Sequence, residues 1–244
     1  LTPCVCLACA SRTAAGKGLY QAFFAASMAG AGMAGYEAHV APAKRHLFAR
    51  LFDDSGTGFM GRPLDVLDVG VGAGPNCRFL PPASVRTLTG VDPNPAMAPY
   101  ATNAAAAAGL EDKFSFVLGG ATPSLPRTPS PDGRADVVLL TLVLCSVPDP
   151  AAVLAAAAAA LRPGGVLLLC EHTAAPAARP GLALAQILLN PLQRLLADGC
   201  DLRRDPEGAL RATQGLAVES VERFEVEGGG LIAPHLAGVA VATG

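Results

Sequence analysis

The feature that most constrains this chain is a glycine-rich loop that directly follows a short apolar run. The run is Leu64–Val69, and the loop reads Gly70-Val71-Gly72-Ala73-Gly74. A short apolar run that ends in glycines predicts a buried strand. Glycines let the backbone turn sharply and approach a ligand closely, and they leave N–H groups free to bind it. The sequence therefore predicts a cofactor-binding loop at the end of a first strand.

The spacing of these glycines separates two classes of cofactor. The dinucleotide fingerprint places its third glycine five residues after the first, and that position here is Pro75. The third glycine instead comes four residues after the first, and Asp68 stands two residues before the loop. This acid-x-Gly-x-Gly-x-Gly arrangement resembles motif I of class I methyltransferases. The Asp68 carboxylate suits the ammonium group of S-adenosylmethionine. A pocket for a diphosphate would not require a carboxylate at this position.

A second acidic residue ends the next predicted strand. Asp92 follows the apolar run Val85–Val91 and lies 20 residues after Gly72. A carboxylate at this place can accept hydrogen bonds from both ribose hydroxyls of a bound cofactor. Enzymes that use NAD have the same arrangement, so Asp92 alone does not choose between the two cofactors. The glycine loop, Asp68 and Asp92 together indicate S-adenosylmethionine.

Strands and helices alternate along the remainder of the chain. Further strands are predicted at Phe114–Leu118, Asp136–Leu144, Val166–Cys170, Ala217–Val226 and Leu236–Thr243, and helices at Pro95–Ala108 and Pro150–Leu161, with a later one that begins at Asp205-Pro206-Glu207 and stops at Gly215. Asp149 and Asp205 each precede a proline, which predicts N-caps with proline in the first turn. Thr122–Arg134 contains four prolines and is predicted to be an exposed loop.

This alternation predicts an α/β fold, and the resemblance of the glycine loop to motif I implies the Rossmann-like class I methyltransferase type. We expect a seven-stranded, mostly parallel sheet with helices on both faces. The last two strands are joined by Gly228-Gly229-Gly230 and a short loop, which favours an antiparallel C-terminal pair.

Composition limits the size of the domain and the class of its partners. The chain has 244 residues, 51% of them hydrophobic and 16% charged, which suffices for one domain with a full core. A formal net charge of −2 and the absence of Trp argue against nucleic acid as a partner. Four of the seven cysteines, Cys77, Cys145, Cys170 and Cys200, are widely spread and predict reduced thiols. Cys4, Cys6 and Cys9 lack a nearby fourth ligand, so no metal site is predicted.

The N-terminal segment has a composition of its own. No acidic residue occurs before Glu37, and Arg12 and Lys17 stand among small residues, as in an organellar transit peptide. The uncharged stretch Gly18–Tyr36 has 19 residues but is built mainly from Ala and Gly, which favours a covering helix or peripheral anchor over a membrane span. We therefore divide the chain into an apolar segment, residues 1–35, and a methyltransferase domain, residues 36–244. We predict an organellar location, chloroplast ahead of mitochondrion, with endoplasmic reticulum or lipid-droplet membrane as the alternative.

Several short sequence motifs carry a closer family resemblance, and they lie between about Tyr36 and the C-terminus. They are Lys44-Arg45-His46-Leu47-Phe48, Val91-Asp92-Pro93-Asn94-Pro95, the run from Asp136 through Thr141-Leu142-Val143-Leu144-Cys145-Ser146-Val147, Leu161-Arg162-Pro163-Gly164-Gly165, Glu171-His172, Asp198-Gly199-Cys200 and Pro234-His235. With these the chain resembles the methyltransferase-like 7 family, the alkyl thiol S-methyltransferases. The resemblance implies transfer of a methyl group from S-adenosylmethionine to a small apolar acceptor, a thiol among the candidates.

The predicted site follows from the loop, the strand ends and this resemblance. The cofactor-binding residues are predicted to be Asp68, Gly70, Gly72, Gly74, Asp92, Pro93, Asn94, Ala121, Thr122, Leu140 and Thr141. His172, after the fifth strand, and Asp198 are the predicted catalytic residues. We expect the pocket mouth to be formed by the N-terminal helices, Leu140–Cys145 and His172–Gly215, because ligands in this fold bind beyond the carboxyl ends of the strands.

Two alternative functions remain open at this point. The family has an acidic residue near the adenine where this chain reads Gly119-Gly120-Ala121-Thr122. A non-catalytic subunit of an organellar protein complex, built on the same fold, is therefore one alternative. A nicotinamide oxidoreductase is the other, and Pro75 argues against it. Peripheral contact with a membrane is compatible with each reading.

Overall fold

The computed structural model describes residues 14–52, 62–121 and 124–244. Seven strands form one sheet: β1 Leu64–Val69, β2 Val85–Asp92, β3 Phe114–Leu118, β4 Ala135–Thr141, β5 Leu161–His172, β6 Leu216–Glu225 and β7 Pro234–Ala242. Their order across the sheet is β3-β2-β1-β4-β5-β7-β6. The first five strands pair in parallel, and β7 runs antiparallel to both β5 and β6. The predicted fold is confirmed, including the antiparallel C-terminal pair.

Six α-helices accompany the sheet within the described residues. They are α1 Ala14–Met28, α2 Ala31–Ala49, α3 Ala98–Ala107, α4 Pro150–Ala160, α5 Pro180–Leu196 and α6 Pro206–Ala212, with short 3-10 turns at Cys77–Phe79, Pro82–Ser84, Pro95–Met97 and Gly230–Ile232. The predicted N-caps are confirmed. The Asp149 carboxylate accepts the N–H of Ala152 at 3.1 Å, and the Asp205 carboxylate accepts the N–H of Gly208 at 3.0 Å.

The centre of the sheet is covered on both faces. Every residue of β1 and β4 is buried, as expected of parallel strands between helical layers. The chain moves outward from β1 to β3 and then returns to the other side of β1 at β4. In such a sheet the loops after β1 and β4 diverge, and a crevice opens at the carboxyl ends of the strands.

An ion-pair network closes the opposite, amino-terminal edge of β1 and β4. The carboxylates of Asp65 and Asp136 are fully buried. Arg162 donates to both of them, Arg86 donates to Asp65, and Arg62 donates to Asp136 at 2.9 and 3.1 Å. These arginines satisfy two buried charges that would otherwise be costly to desolvate.

Several predicted boundaries are wrong. Strand β4 ends at Thr141 because Leu142 has φ of 58°, a left-handed conformation that leaves the sheet. Strand β5 extends over Leu161–His172, since Leu161 also pairs with Ala135 beyond a bulge. The helix that follows Asp205 ends at Ala212, short of Gly215, and the predicted helix from Pro95 begins as a 3-10 turn.

The proline-rich loop is less exposed than predicted. In its described part, residues 124–134, Thr128 and Ser130 are buried. Their hydroxyls donate to the carbonyl oxygen of Arg134 at 2.7 and 2.8 Å. The prolines of the loop have no backbone N–H to donate. The two hydroxyls donate instead, and they hold the loop in a compact turn.

The N-terminal helices lie against the domain. The Asn94 side chain donates to the carbonyl oxygen of Gln21 in α1 at 2.9 Å. Among the described residues, no helix combines the length and apolar character that a bilayer span requires. Cys4, Cys6 and Cys9 lie outside the described residues. The other four cysteines are buried and unbridged, as predicted.

Candidate active site

A cavity of about 310 Å³ lies at the carboxyl ends of the parallel strands. Its walls come from the glycine loop, the ends of β2 and β5, the turn after β4, α1, and the end of α5. Phe24 and Met28 of α1 and Met33 of α2 also line it. These are the segments predicted to form the pocket mouth.

The three loop glycines all have positive φ, but for different reasons. A Cβ on Gly70 would lie 2.6 Å from a methyl of Val143, and one on Gly74 would lie 2.8 Å from Ala104 Cβ. These two glycines therefore permit close packing within the protein. At Gly72, with φ of 53°, the nearest atom to an added Cβ is 3.9 Å away. Gly72 lines the cavity, so its missing side chain leaves room for a ligand.

Asp92 is held by the backbone beside this loop. Its Oδ2 accepts the N–H of Gly72 at 3.0 Å, and its Oδ1 accepts the N–H of Asn94 at 2.8 Å. Burial raises the pKa of Asp92, and these two hydrogen bonds oppose the rise. Each carboxylate oxygen keeps a lone pair for a further donor. The residue lines the cavity and is therefore placed to accept from a pair of hydroxyls.

Asp68 has a different environment from the one predicted. It is fully buried and is not among the residues that line the cavity. Both of its carboxylate oxygens accept from Nδ2 of Asn76 at 3.1 Å, and the same nitrogen lies 3.0 Å from Oγ1 of Thr141. Burial raises the pKa of Asp68 to about 7, and the Asn76 hydrogen bonds oppose that rise. Asp68 and Thr141 therefore fix the loop through Asn76, and neither of the two lines the cavity.

The other predicted residues divide into two groups. Gly70, Gly72, Asp92, Pro93, Asn94, Ala121, His172 and Asp198 line the cavity, whereas Asp68, Gly74, Leu140 and Thr141 do not. Thr122 lies outside the described residues. Leu140 is a fully buried core residue of β4, which explains its place in the second group.

Glu171 is a structural residue that sequence reasoning did not single out. Its Oε1 accepts the N–H groups of Val143 and Leu144 at 2.7 and 3.1 Å. Burial raises the pKa of Glu171 to about 7, and these two donors oppose the rise. The contact stabilises the left-handed turn at Leu142 and so positions the cavity wall that follows it.

A cluster of sulfur and nitrogen atoms lines part of the cavity: Cys145, His172 and Cys200. Nε2 of His172 is 3.2 Å from Sγ of Cys200. All three side chains are buried, and one potential ligand atom from each lies within 4.8 Å of the others. Hydrogen bonds from the Cys145 thiol and from His172 lower the pKa of Cys200. Cys145 and Cys200 belong to two of the short motifs that carry the resemblance to the methyltransferase-like 7 family, but only the fold brings them together.

Asp198 connects α1 to the end of α5. It has φ of 47°, and its carboxylate lies beside Tyr20 of α1. Burial raises the pKa of Asp198, and the neighbouring Tyr20 hydroxyl opposes the rise. Tyr20 was not predicted as a site residue. The pair holds α1 against the cavity, so that Asp198 has a positioning contact in this structure.

Comparisons with known proteins agree with this geometry. The sequence model described as "Methyltransferase domain" matches residues 36–202. Human thiol S-methyltransferase TMT1A is 32% identical over 206 residues, covering 84% of this chain and 81% of the relative. Human thiol S-methyltransferase TMT1B is 33% identical over 198 residues, covering 81% of this chain and 78% of the relative.

Solved structures show the same fold. Magnesium protoporphyrin IX methyltransferase from Synechocystis PCC 6803, with bound SAH, superposes with a TM-score of 0.59 at 15% identity, covering 84% of each chain. The N-methyltransferase NodS from Bradyrhizobium japonicum WM9 superposes with a TM-score of 0.56 at 15% identity, covering 83% of this chain and 96% of NodS. The chain therefore belongs to the family of S-adenosylmethionine-dependent class I methyltransferases that includes the thiol S-methyltransferases TMT1A and TMT1B.

Proposed function

We propose that this enzyme transfers the methyl group of S-adenosylmethionine to the sulfur of a small apolar thiol. The observation that carries the proposal is the composition of one cavity. Gly72 and Asp92 form one end of it, and the buried cluster of Cys145, His172 and Cys200 forms the other. The family relatives named thiol S-methyltransferases support the choice of acceptor.

The residues at the cofactor end fit S-adenosylmethionine. Gly72 leaves space for a ligand against the backbone, and Asp92 has lone pairs available for the two ribose hydroxyls. Pro93 and Ala121 line the region where an adenine would lie. Among the described residues that line the cavity there, none is acidic apart from Asp92. Losing one hydrogen bond to the adenine costs about 0.5–1.5 kcal/mol, which lowers affinity by roughly tenfold at most.

The chain's main contribution to catalysis is to position the acceptor in a dry chamber. When bound, S-adenosylmethionine supplies an electrophilic methyl group on a sulfonium. Transfer of that methyl neutralises charge, so alignment and exclusion of water account for much of the rate. Phe24, Met28 and Met33 make the chamber apolar. A thiol with a pKa of about 8.5 is already partly ionised near neutrality, and His172 and Cys200 supply polar atoms to the cavity wall beside it.

Calorimetry with S-adenosylmethionine and product analysis by mass spectrometry test this function. We expect donor binding, and methylation of aliphatic or aromatic thiols but not of alcohols with the same carbon skeleton. Methylation of phenols or quinols with no reaction of any thiol would overturn the choice of acceptor. Failure to bind the donor even at millimolar concentration would overturn the proposed site and would favour a non-catalytic subunit instead.

We propose, in addition, peripheral contact between this enzyme and a membrane surface. Helix α5 exposes a row of leucines, of which Leu184, Leu188, Leu192 and Leu195 are 56%, 68%, 52% and 62% exposed. Leu19 and Phe23 of α1 are 74% and 66% exposed. Since α1 and the end of α5 meet at Tyr20 and Asp198, this apolar face borders the cavity, where an acceptor dissolved in lipid could enter. Large exposed apolar patches of this kind favour a partner surface.

The cellular address is also a proposal. The composition of residues 1–36, which carry no acidic side chain, favours an organelle, chloroplast ahead of mitochondrion, and the exposed leucines are equally compatible with endoplasmic reticulum or lipid droplets. Imaging of the full-length native protein tagged at its C-terminus separates these addresses. A uniform cytosolic signal would contradict all of them.

A further inference from the structure

We propose that Cys145, His172 and Cys200 bind a zinc ion whose fourth coordination position faces the cavity. That position would take the sulfur of the acceptor, so this part of the inference rests on the proposed function. The ion itself is inferred independently, from the donor set and its placement. The sequence analysis predicted no metal site, and these three residues are separated by 27 and 28 positions along the chain, so only the fold brings them together.

The donor set is one that zinc prefers. Two cysteine sulfurs and one imidazole nitrogen are soft or borderline ligands, and a Cys₂His set with one open position is typical of a catalytic zinc. Zinc bonds of about 2.0–2.3 Å in a tetrahedron place neighbouring ligand atoms roughly 3.5–3.8 Å apart. Here the nitrogen-to-sulfur distance is 3.2 Å, and all three atoms lie within 4.8 Å of one another. Small side-chain rotations therefore suffice to bind the ion.

The three ligands stand on segments that are fixed to one another. His172 ends β5, and Cys145 belongs to the turn that Glu171 holds through Val143 and Leu144. The N–H of Asp201 donates to the carbonyl oxygen of Cys145 at 2.9 Å, which ties the segment of Cys200 to that of Cys145. Preorganisation of this kind lowers the ordering cost of binding an ion.

Neighbouring side chains support the sulfur atoms. Nε2 of Gln193 lies 3.6 Å from Sγ of Cys200, and the Ser146 hydroxyl lies 3.5 Å from Sγ of Cys145. Such outer contacts are typical of metal-bound thiolates. Nδ1 of His172 has no hydrogen-bond partner in the described part of the chain. Binding of an ion by Nε2 would therefore require the ring proton to move from the Cys200 side to Nδ1.

A bound cation would change the charge state of this cluster. Burial alone favours protonated, neutral thiols, because an uncompensated buried anion is costly. Coordination by zinc deprotonates thiols and neutralises the resulting charge. The cluster also lines the cavity, which leaves one side of the ion accessible to a small molecule.

The open position accounts for activation of the acceptor. A thiol that binds there loses its proton to solvent, and its sulfur forms a new bond to the methyl carbon of the donor. The bond between that carbon and the donor sulfur breaks, and its electron pair stays on the donor sulfur. The products are a neutral thioether from the acceptor and a neutral thioether from the donor, and no oxidant or reductant takes part.

The test measures metal binding directly. Full-length protein is purified, loaded with zinc, dialysed and analysed for metal by mass spectrometry. We expect about one zinc per chain, near-complete loss in Cys200→Ser and Cys145→Ser, and full retention in Cys170→Ser, whose buried cysteine lies on β5 outside the cluster. Because Cys4, Cys6 and Cys9 could hold zinc as well, a variant with all three changed to Ser is expected to retain the metal.

Cobalt substitution adds a spectroscopic readout of the same site. Cobalt in the wild-type protein is expected to show a thiolate-to-cobalt charge-transfer band in the near ultraviolet and tetrahedral bands in the visible. Addition of a thiol acceptor should shift the visible bands. Circular dichroism confirms that each variant is folded, and Cys145→Ser serves where Cys200→Ser does not fold.

The outcomes separate this inference from the proposed function. Zinc absent from loaded wild-type protein, or retained equally by folded Cys145→Ser and Cys200→Ser, overturns the metal site. If metal-free protein still methylates thiols at the full rate, the proposed function stands and the role of zinc in activating the acceptor fails. If zinc binds as expected but no thiol is methylated or perturbs the cobalt spectrum, the metal site stands and the thiol acceptor fails.

Discussion

The backbone N–H of Gly72 donates a hydrogen bond to Oδ2 of Asp92 at 3.0 Å. This bond joins the loop after β1 to the end of β2, and the N–H groups of Gly70 and Val71 also donate to the carbonyl oxygen of Val91, at 2.7 and 3.0 Å. The glycine loop and the acidic residue thus form one unit, in which the carboxylate that would receive a ribose also fixes the loop that approaches it.

Gly72→Val is expected to abolish binding of S-adenosylmethionine, because the side chain would occupy the space that Gly72 leaves in the cavity. Gly164→Val is a matched control. Gly164 also has positive φ, at 75°, with no atom within 4 Å of an added Cβ, so it imposes similar backbone strain away from the site. Calorimetry with the donor and thermal unfolding of both variants give the comparison. Equal donor affinity in the two variants would contradict our assignment of the loop.

Asp92→Ala is expected to weaken donor binding by at least about tenfold, since a hydrogen bond to a charged group contributes roughly 1.5–3 kcal/mol. The change also leaves the N–H groups of Gly72 and Asn94 without their acceptor. Asp149→Ala removes a carboxylate that caps α4 and should cost stability, about 1 kcal/mol, with no change in affinity. An unchanged dissociation constant in Asp92→Ala would exclude the carboxylate from the site.

Glu171→Ala is expected to lower both stability and methyl transfer, because two buried N–H groups lose their acceptor and the turn at Leu142 loosens. Leaving such groups unpaired costs about 1–3 kcal/mol each. Glu171→Gln keeps an acceptor oxygen and should restore much of the activity. Urea denaturation and initial rates measure the two effects. Equal impairment of the Ala and Gln variants would mean that the negative charge of Glu171, and not its acceptor role, is needed.

Asp136→Asn is expected to destabilise the domain by about 3 kcal/mol without changing donor affinity, since it breaks a buried ion network remote from the cavity. Burial alone would raise the pKa of Asp136, but Arg62, the N–H of Asp65 and Arg162 lower it below its ordinary value of 3.8. Its contribution to stability is therefore complete above that value and is lost as the pH falls through the lower folded pKa.

Denaturation of wild type and Asp136→Asn between neutral and acidic pH tests this sign. The difference in unfolding free energy should shrink toward pH 3, within the window set by the lowered pKa. Asp132→Asn is the matched control, because Asp132 contacts the same Arg162 but is largely exposed, and it should have little effect on stability. A difference that grows as the pH falls would contradict the assignment.

Leu188→Glu combined with Leu192→Glu is expected to abolish sedimentation of the protein with anionic liposomes. The two side chains are exposed on α5, so a charged replacement should not disturb the core. Leu118→Glu, at a similarly exposed leucine of edge strand β3 and outside α5, should leave sedimentation unchanged. Retention on liposomes by the double variant would locate the membrane contact elsewhere, and failure of the wild-type protein to sediment would overturn the contact.

Local patterns in the sequence determined the scaffold and half of the site. The strand at Leu64–Val69, the glycine loop, Asp92 at the end of β2 and the caps at Asp149 and Asp205 all depend on residues within a few positions of one another. Periodicity, turn geometry and capping act over that range. These features could be predicted because they depend on residues that are close along the chain. They do not depend on which strands become neighbours in the sheet.

Tertiary structure decided the features that depend on which strands and helices become neighbours. Asp68 was predicted to bind the cofactor, but it is fully buried, does not line the cavity, and accepts both of its hydrogen bonds from Asn76. The contacts of Glu171 and Cys200 could not be predicted from the sequence. In the fold, the turn after β4 supplies the N–H of Val143 to Glu171 and places Cys145 beside Cys200. The physical reason is that side-chain direction at a strand end, and the closing of α1 and α5 over the sheet, follow from packing between segments that are distant along the chain.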